Sequence, residues 1–137
     1  MTLLHLHPRA DEIFAVAAGH VETEMFPEAG VLDENMQPRT IRTELGPGMM
    51  TVFPAGSFHT QLNLACEPAT IVASFTSEDP GASLIVDGAL ALSDEVISNS
   101  FGQFINAENI EAVRAGLPKG LGAKLDQCME QCNIPKC

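Results

Sequence analysis

Three of the four histidines in this 137-residue chain stand at spacings that could gather them round a metal ion. His5 and His7 are two apart in the alternating stretch from Leu3 to His7, so on a strand both rings face one side. Glu12 follows beyond Pro8, a break that lets the chain re-aim the carboxylate. His59, Gln61 and Asn63 recur at intervals of two and share a face of another strand. Three imidazoles and a carboxylate suit a divalent first-row metal. With open positions for water the site would be octahedral, which favours manganese or iron over closed tetrahedral zinc. Glu12 and Asn63 are the candidates for catalytic work beside such an ion. Phe14, Phe53, Gln61 and Asn63 are the candidates for a substrate pocket. The competing reading gives Phe14 a plain core role, and gives Gln61 and Asn63 turn and strand hydrogen bonding. His20 fits no such pattern and is expected to be exposed.

The elements that must carry these residues are mostly strands. Leu3 to His7 is one, and Glu12 to Phe26 reads as two strands folded about Gly19, rich in the β-branched and aromatic residues that strands favour. A turn-rich loop over Pro27 to Gln37 leads to a short strand over Thr40 to Glu44. Met49 to Phe53 lies between Gly46-Pro47-Gly48 and Pro54-Ala55-Gly56, both strong turn signals. His59 to Leu64 alternates, and Ala69 to Thr76 is a near-continuous apolar run of the kind that marks a buried strand. Short strands without intervening helices predict an antiparallel sandwich or barrel. The tail then turns helical. Ser93-Asp94-Glu95 is a helix start ahead of Val96, Ile97 and Phe101, an amphipathic stretch runs from Asn106 to a stop at Pro118, and a third segment spans Ala123 to Cys132 before Pro135. The layout expected is one domain: a barrel over residues 1–92 and a helical tail over residues 93–137.

Composition narrows the partners. Seven Lys+Arg against eighteen Asp+Glu leave a formal net charge of −11, a field that repels nucleic-acid phosphates and anionic membranes. No apolar run approaches the roughly 18 residues of a membrane span. The first seven residues have neither a basic region nor an apolar stretch, so they do not read as a secretory signal; the chain opens as if in mid-strand, as an N-terminally shortened product would. Cys66 lies in the strand region, whereas Cys128, Cys132 and Cys137 cluster in the tail, with Cys128 and Cys132 one helical turn apart. A zinc site there would need a further close ligand, and no histidine is near. Disulfides within the tail, or from the tail to Cys66, are both open.

Two motifs carry a family resemblance. His5-x-His7-(x4)-Glu12-(x6)-Gly19 resembles the first motif of the cupin superfamily, and Gly48-(x5)-Pro54-x-Gly56-(x2)-His59-(x3)-Asn63 resembles the second without a gap. The text HPRADEIF (His7 to Phe14) and FPAGSFHTQLN (Phe53 to Asn63) is similar to the germin-like branch, which includes the fungal and slime-mould spherulins. The resemblance implies a jelly-roll barrel followed by two or three short helices. It also implies that His5, His7, Glu12 and His59 are metal ligands, with manganese as the usual ion and iron as the alternative. Secretion and homo-oligomeric assembly follow from the same likeness, and a barrel lacking its first strands would expose edges that a partner covers.

Three functions follow from it as expectations. One is a manganese-dependent oxidoreductase acting on a small acid or an oxygen species. Oxalate itself fits poorly, because oxalate-oxidising germins supply an asparagine just upstream of the first motif, where this chain has Met1 to Leu4. Trp and Tyr are also absent as electron relays. The second is an isomerase, cyclase or oxygenase of a biosynthetic pathway, with Met49, Met50, Phe53 and Phe14 suited to an apolar pocket. The third is a non-catalytic storage or wall protein like the spherulins. The cysteine pair that germins carry near the N-terminus has no counterpart here.

Overall fold

The computed structural model describes residues 1–124 and 126–133, and the expected barrel with a helical tail is what it contains. Eight strands run in chain order among the described residues: β1 (His5–Leu6), β2 (Glu12–Ala18), β3 (Val21–Phe26), β4 (Ile41–Leu45), β5 (Met50–Phe53), β6 (Phe58–Leu62), β7 (Thr70–Phe75) and β8 (Ser83–Leu84). They form two antiparallel sheets, of order β4-β3-β6-β1-β8 and β5-β2-β7.

The stretch Glu12 to Phe26 does contain two strands meeting at Gly19, yet they do not pair with each other. β2 joins the three-stranded sheet and β3 the five-stranded one, so the turn crosses between layers. Gly19 has φ +78°, and a Cβ there would stand 2.8 Å from the Ala69 backbone, so no other residue fits without displacing the start of β7. Between the layers, Phe14, Val16 and Phe53 from one sheet pack against Val21, Met25 and Leu45 from the other, as the two-residue period of a half-buried strand requires.

β7 departs from expectation. Its apolar run predicts a buried strand, but every residue of it is exposed, Val72 by 54%. The reason is position: β7 pairs with β2 on one side only and forms the sheet edge. Ile71, Ala73 and Phe75 wall an open cavity instead of lying under a third layer. With Ile13, Met50 and Val52, Val72 makes the outer face of this sheet apolar and exposed.

After β8 come α1 (Ile85–Leu90), α2 (Asp94–Ser100), α3 (Ile110–Gly116) and α4 (Asp126–Gln131). The last three match the segments read from sequence, although α4 occupies only the centre of its segment. Leu125, Pro135 and Cys137 lie outside the described residues. α1 has no sequence signal of its own. Helices of six or seven residues are marginal alone. These gain stability from a second core of Leu90, Ile97 and Ile110, with Ile105, Val113 and Leu117 around it. Arg114 ties that core together: its guanidinium donates to the Leu90 and Leu92 carbonyls and to the carboxylates of Asp94 and Glu111. The tail is also bonded covalently to the barrel, because Cys132 pairs with Cys66 in the loop between β6 and β7.

Candidate metal centre

His5 and His59 are register partners in the β1–β6 pair, His7 follows β1 directly, and Glu12 opens β2 on the opposite sheet. One ligand atom from each of the four lies within 4.8 Å of every other. All four side chains are buried, with His59 1% and Glu12 4% exposed, in a setting where an unpaired carboxylate would be strongly disfavoured.

The hydrogen bonds fix what the rings present. His5 Nδ1 donates to the Leu3 carbonyl at 2.7 Å, His7 Nδ1 to the Gly81 carbonyl and His59 Nδ1 to the Ser57 carbonyl at 2.9 Å. A carbonyl oxygen only accepts, so each Nδ1 carries a proton and each Nε2 is the ring atom turned inward. Glu12 Oε2 stands 3.0 Å from His7 Nε2 and 3.2 Å from His59 Nε2. Contacts this short need a proton or a cation between the carboxylate and each Nε2. This arrangement fits a divalent cation, and backbone-oriented imidazoles of this kind are what sustain metal ligands. Burial lowers the pKa of His5 below its ordinary 6.5, with His59 and His7 adding to the effect, and so favours the neutral, ligating ring.

The supports are traceable to sequence. Gly56 N donates to the His7 carbonyl, and Ser57 is turned back onto the Pro54 carbonyl through both its N and its Oγ, which aims the Ser57 carbonyl at His59. Phe53 stacks on the His59 ring at 4.2 Å with 3° between planes, and Phe75 meets His7 edge-on at 4.6 Å. Arg9 holds the 79–81 loop by a two-point bond to Asp79, and its own N donates to the Pro80 carbonyl, so the Gly81 carbonyl stays over His7. That pairing raises the Arg9 pKa and lowers that of Asp79. At Gly81, φ is +66° and a Cβ would meet the Arg9 guanidinium at 2.8 Å. Sequence reading missed Arg9, Asp79 and Gly81, because they meet His7 only through a long-range fold-back that no local spacing encodes.

Next to the ligand atoms lies a cavity of about 320 Å³. Phe14, which also belongs to the inter-sheet core, and Gln61 line it, and so do Ile71, Phe75 and Leu121, which sequence reading did not single out. Asn63 also reaches the wall, but its amide is engaged at both ends within its own turn: Nδ2 donates to the Glu67 carbonyl and Oδ1 accepts from Ala65 N. Gln61 Oε1 accepts from the Thr2 hydroxyl. Phe53 does not line the cavity. It sits one layer behind, 2% exposed in the inter-sheet core, and reaches the site through the His59 ring. Met49 walls a separate surface groove beside His20, and Met50 points outward, 56% exposed. His20 is exposed, as expected.

A model of the family described as Cupin matches residues 1–109. Spherulin-1A of Physarum polycephalum is 36% identical over 134 residues, which cover 98% of this chain and 51% of that protein. A probable germin-like protein of Arabidopsis thaliana, subfamily 2 member 5, is 36% identical over 98 residues, covering 71% of this chain and 42% of that one. The chain thus spans about half the length of the curated relatives it matches. A recombinant oxalate oxidase in complex with glycolate superposes with a TM-score of 0.71 over 82% of this chain and 55% of that one, at 22% identity. An oxalate decarboxylase formate complex from Lactobacillus farciminis does so with a TM-score of 0.66 over 85% and 30%, at 18% identity. At such identities the likeness is one of fold. Among the described residues no helix is long and apolar enough to cross a membrane.

Proposed function

The chain belongs to the cupin family, and from that premise we propose that it holds one divalent metal ion, manganese or alternatively iron, and uses it in redox chemistry on a small acid or an oxygen species. One observation carries the reading: three imidazoles are each oriented through Nδ1 by a backbone carbonyl, so that their Nε2 atoms converge with the Glu12 carboxylate. His5, His7, Glu12 and His59 are the ligands in this proposal. The ion would supply an open coordination position and a change of oxidation state. The chain's own part is to orient and to exclude water: Phe14, Ile71 and Phe75 wall the approach, while Glu12 and Gln61 are the polar groups nearest a bound molecule. Asn63 shapes the rim through its turn in this reading, and assists at the ion only if that turn opens.

The same walls favour a second reading. Among the described residues no Lys or Arg lines the cavity, whereas Phe14, Val21, Ile71, Ala73, Phe75 and Leu121 do, which suits a substrate with an apolar body and one metal-binding group. An isomerase, cyclase or oxygenase fits that better than a dicarboxylate oxidase. A non-catalytic spherulin-like role is the third alternative; the 36% identity to spherulin-1A supports the likeness itself.

The experiment is to load the purified chain with Mn(II) and screen oxalate, glycolate, superoxide and aromatic hydroxy acids by oxygen uptake and product analysis. Turnover of a small acid or superoxide supports the first reading, turnover confined to aromatic substrates supports the second, and a metal-loaded chain inert to all of them supports the third. The apolar outer face of the β5-β2-β7 sheet supports homo-oligomeric assembly, for which a monomeric mass by light scattering is the contrary result. Extracellular placement is carried over from the germin-like relatives as part of this proposal.

A further inference from the structure

Three sulfur atoms meet where the tail returns to the barrel. Cys66 and Cys132 are bonded, and Cys128, the free cysteine among the described residues, holds its Sγ 3.9 Å from Cys132 Sγ, close to van der Waals contact. The same thiol faces the Asn63 and Ala65 carbonyls of the loop that carries Cys66, so it is lodged between that loop and the disulfide. It is only partly buried. We propose that Cys128 is an internal exchange nucleophile that moves the disulfide from Cys66–Cys132 to Cys128–Cys132 and so removes the covalent anchor of the tail that walls the cavity.

The step balances without an added oxidant or reductant. The Cys128 thiol loses its proton to solvent and the thiolate attacks Cys132 Sγ. The Cys128–Cys132 bond forms, the Cys66–Cys132 bond breaks, and Cys66 leaves as a thiolate that takes up a proton. The product needs only a local change at the end of α4. Cys132 N donates to the Cys128 carbonyl at 2.9 Å, so the helical turn closes across the pair. Residues one such turn apart have Cα atoms about 6.2 Å apart, inside the range a disulfide spans. Their Cβ atoms lie about 5–6 Å apart against the roughly 4 Å the bond needs, so it forms as this last turn of the helix opens.

The consequence follows from what the Cys66 tether holds. Leu121 lines the cavity, and residues 121–123 lie along the first residues of the chain: Leu3 N donates to the Leu121 carbonyl, Ala123 N to the Met1 carbonyl, and Thr2 bridges Gly122. α4 then runs to Cys132, whose bond to Cys66 anchors this strap beside Asn63 and Ala69 on the cavity wall. After exchange the strap keeps its pairing with residues 1–3 and the packing of the buried Met129, but loses its covalent anchor. The exchange stands apart from the metal; only its meaning, control of access to the ion, rests on the function proposed above.

The test uses the full chain without metal. Wild-type and Cys128→Ser proteins are incubated without added thiol, quenched in acid, alkylated and mapped by mass spectrometry. In wild type, alkylated Cys66 appears together with the Cys128–Cys132 bond, and it accumulates about tenfold faster per pH unit on the acid side because the thiolate is the nucleophile. Cys128→Ser stays wholly Cys66–Cys132. Hydrogen exchange at the Leu3 and Ala123 amides is then several-fold faster in Cys66→Ser, which lacks the tether as the exchanged state does, than in Cys128→Ser. Unchanged Cys66–Cys132 bonding in wild type, a Cys128–Cys137 bond in its place, or equal amide exchange in the two variants would overturn the proposal. A chain that exchanges in this way but binds no manganese would refute the metal centre and leave the exchange standing.

Discussion

The core between the sheets and the core beneath the helices are built on different scales. Phe14, Val16, Val21, Met25, Leu45 and Phe53 come from four strands spread over forty residues, and the His59 ring is pressed against this group through Phe53. Leu90, Ile97 and Ile110 lie within one short stretch, and none of them lines the cavity. The proposed metal centre should therefore rise and fall with the first core and depend less on the second, to which it is linked by the backbone at β8, by the pairing of residues 121–123 with residues 1–3 and by the Cys66–Cys132 bond.

The largest effect should come from Phe53→Ala. Removing a buried ring that also backs a ligand costs about 3–5 kcal/mol, and metal affinity should fall with stability. Urea unfolding with and without Mn(II) measures both. Ile97→Ala or Ile110→Ala should cost about 2–4 kcal/mol, yet leave metal stoichiometry unchanged. If either variant loses metal as Phe53→Ala does, the two cores are one cooperative unit and the contrast fails. Arg9→Ala sharpens the comparison at the surface. Its pair with Asp79 is solvent-exposed, so losing it should change stability little. Freeing the Gly81 carbonyl from His7 should nevertheless weaken metal binding about tenfold, in the range seen when a ligand's outer partner is lost. Calorimetric titration of the variant reads the two effects separately.

The smallest effect concerns protons. The folded-state pKa of His5 lies below 6.5, chiefly through burial, so as pH falls past 6.5 the unfolded chain takes up a proton that the folded one resists. This contribution is absent well above that pH and destabilises the fold increasingly below it. The metal-free protein should lose stability in this window, and the His5 ring signal in NMR should still report a neutral imidazole at pH 6.5. A ring mostly protonated at that pH would contradict the assignment.

Much of this was legible from the chain alone, for physical reasons that also explain what was not. His5, His7, Gln61 and His59 announce themselves because a strand alternates faces, and Glu12 because its distance from His7 belongs to a recognisable motif. The Gly19 turn was legible as a turn, but not as a crossing between sheets, since hydrogen-bond partners are not written into local pattern. The β7 run looked buried because apolar content does not distinguish a central strand from an edge facing a cavity. Phe53 was placed in the pocket by its type, when register with Glu12 sets it behind His59. The Cys66–Cys132 pairing stayed open because connectivity is a property of the fold, and α1 was missed because a single six-residue turn carries too little periodicity to read.

The most direct test of the central claim is metal content. The wild-type chain, purified without a histidine tag and dialysed against Mn(II), should carry about one equivalent by elemental analysis and give the EPR spectrum of a bound ion. His59→Ala and Glu12→Gln should both lose it, the second without loss of fold by circular dichroism. Wild type without metal, or equal metal in all three proteins, would contradict the account.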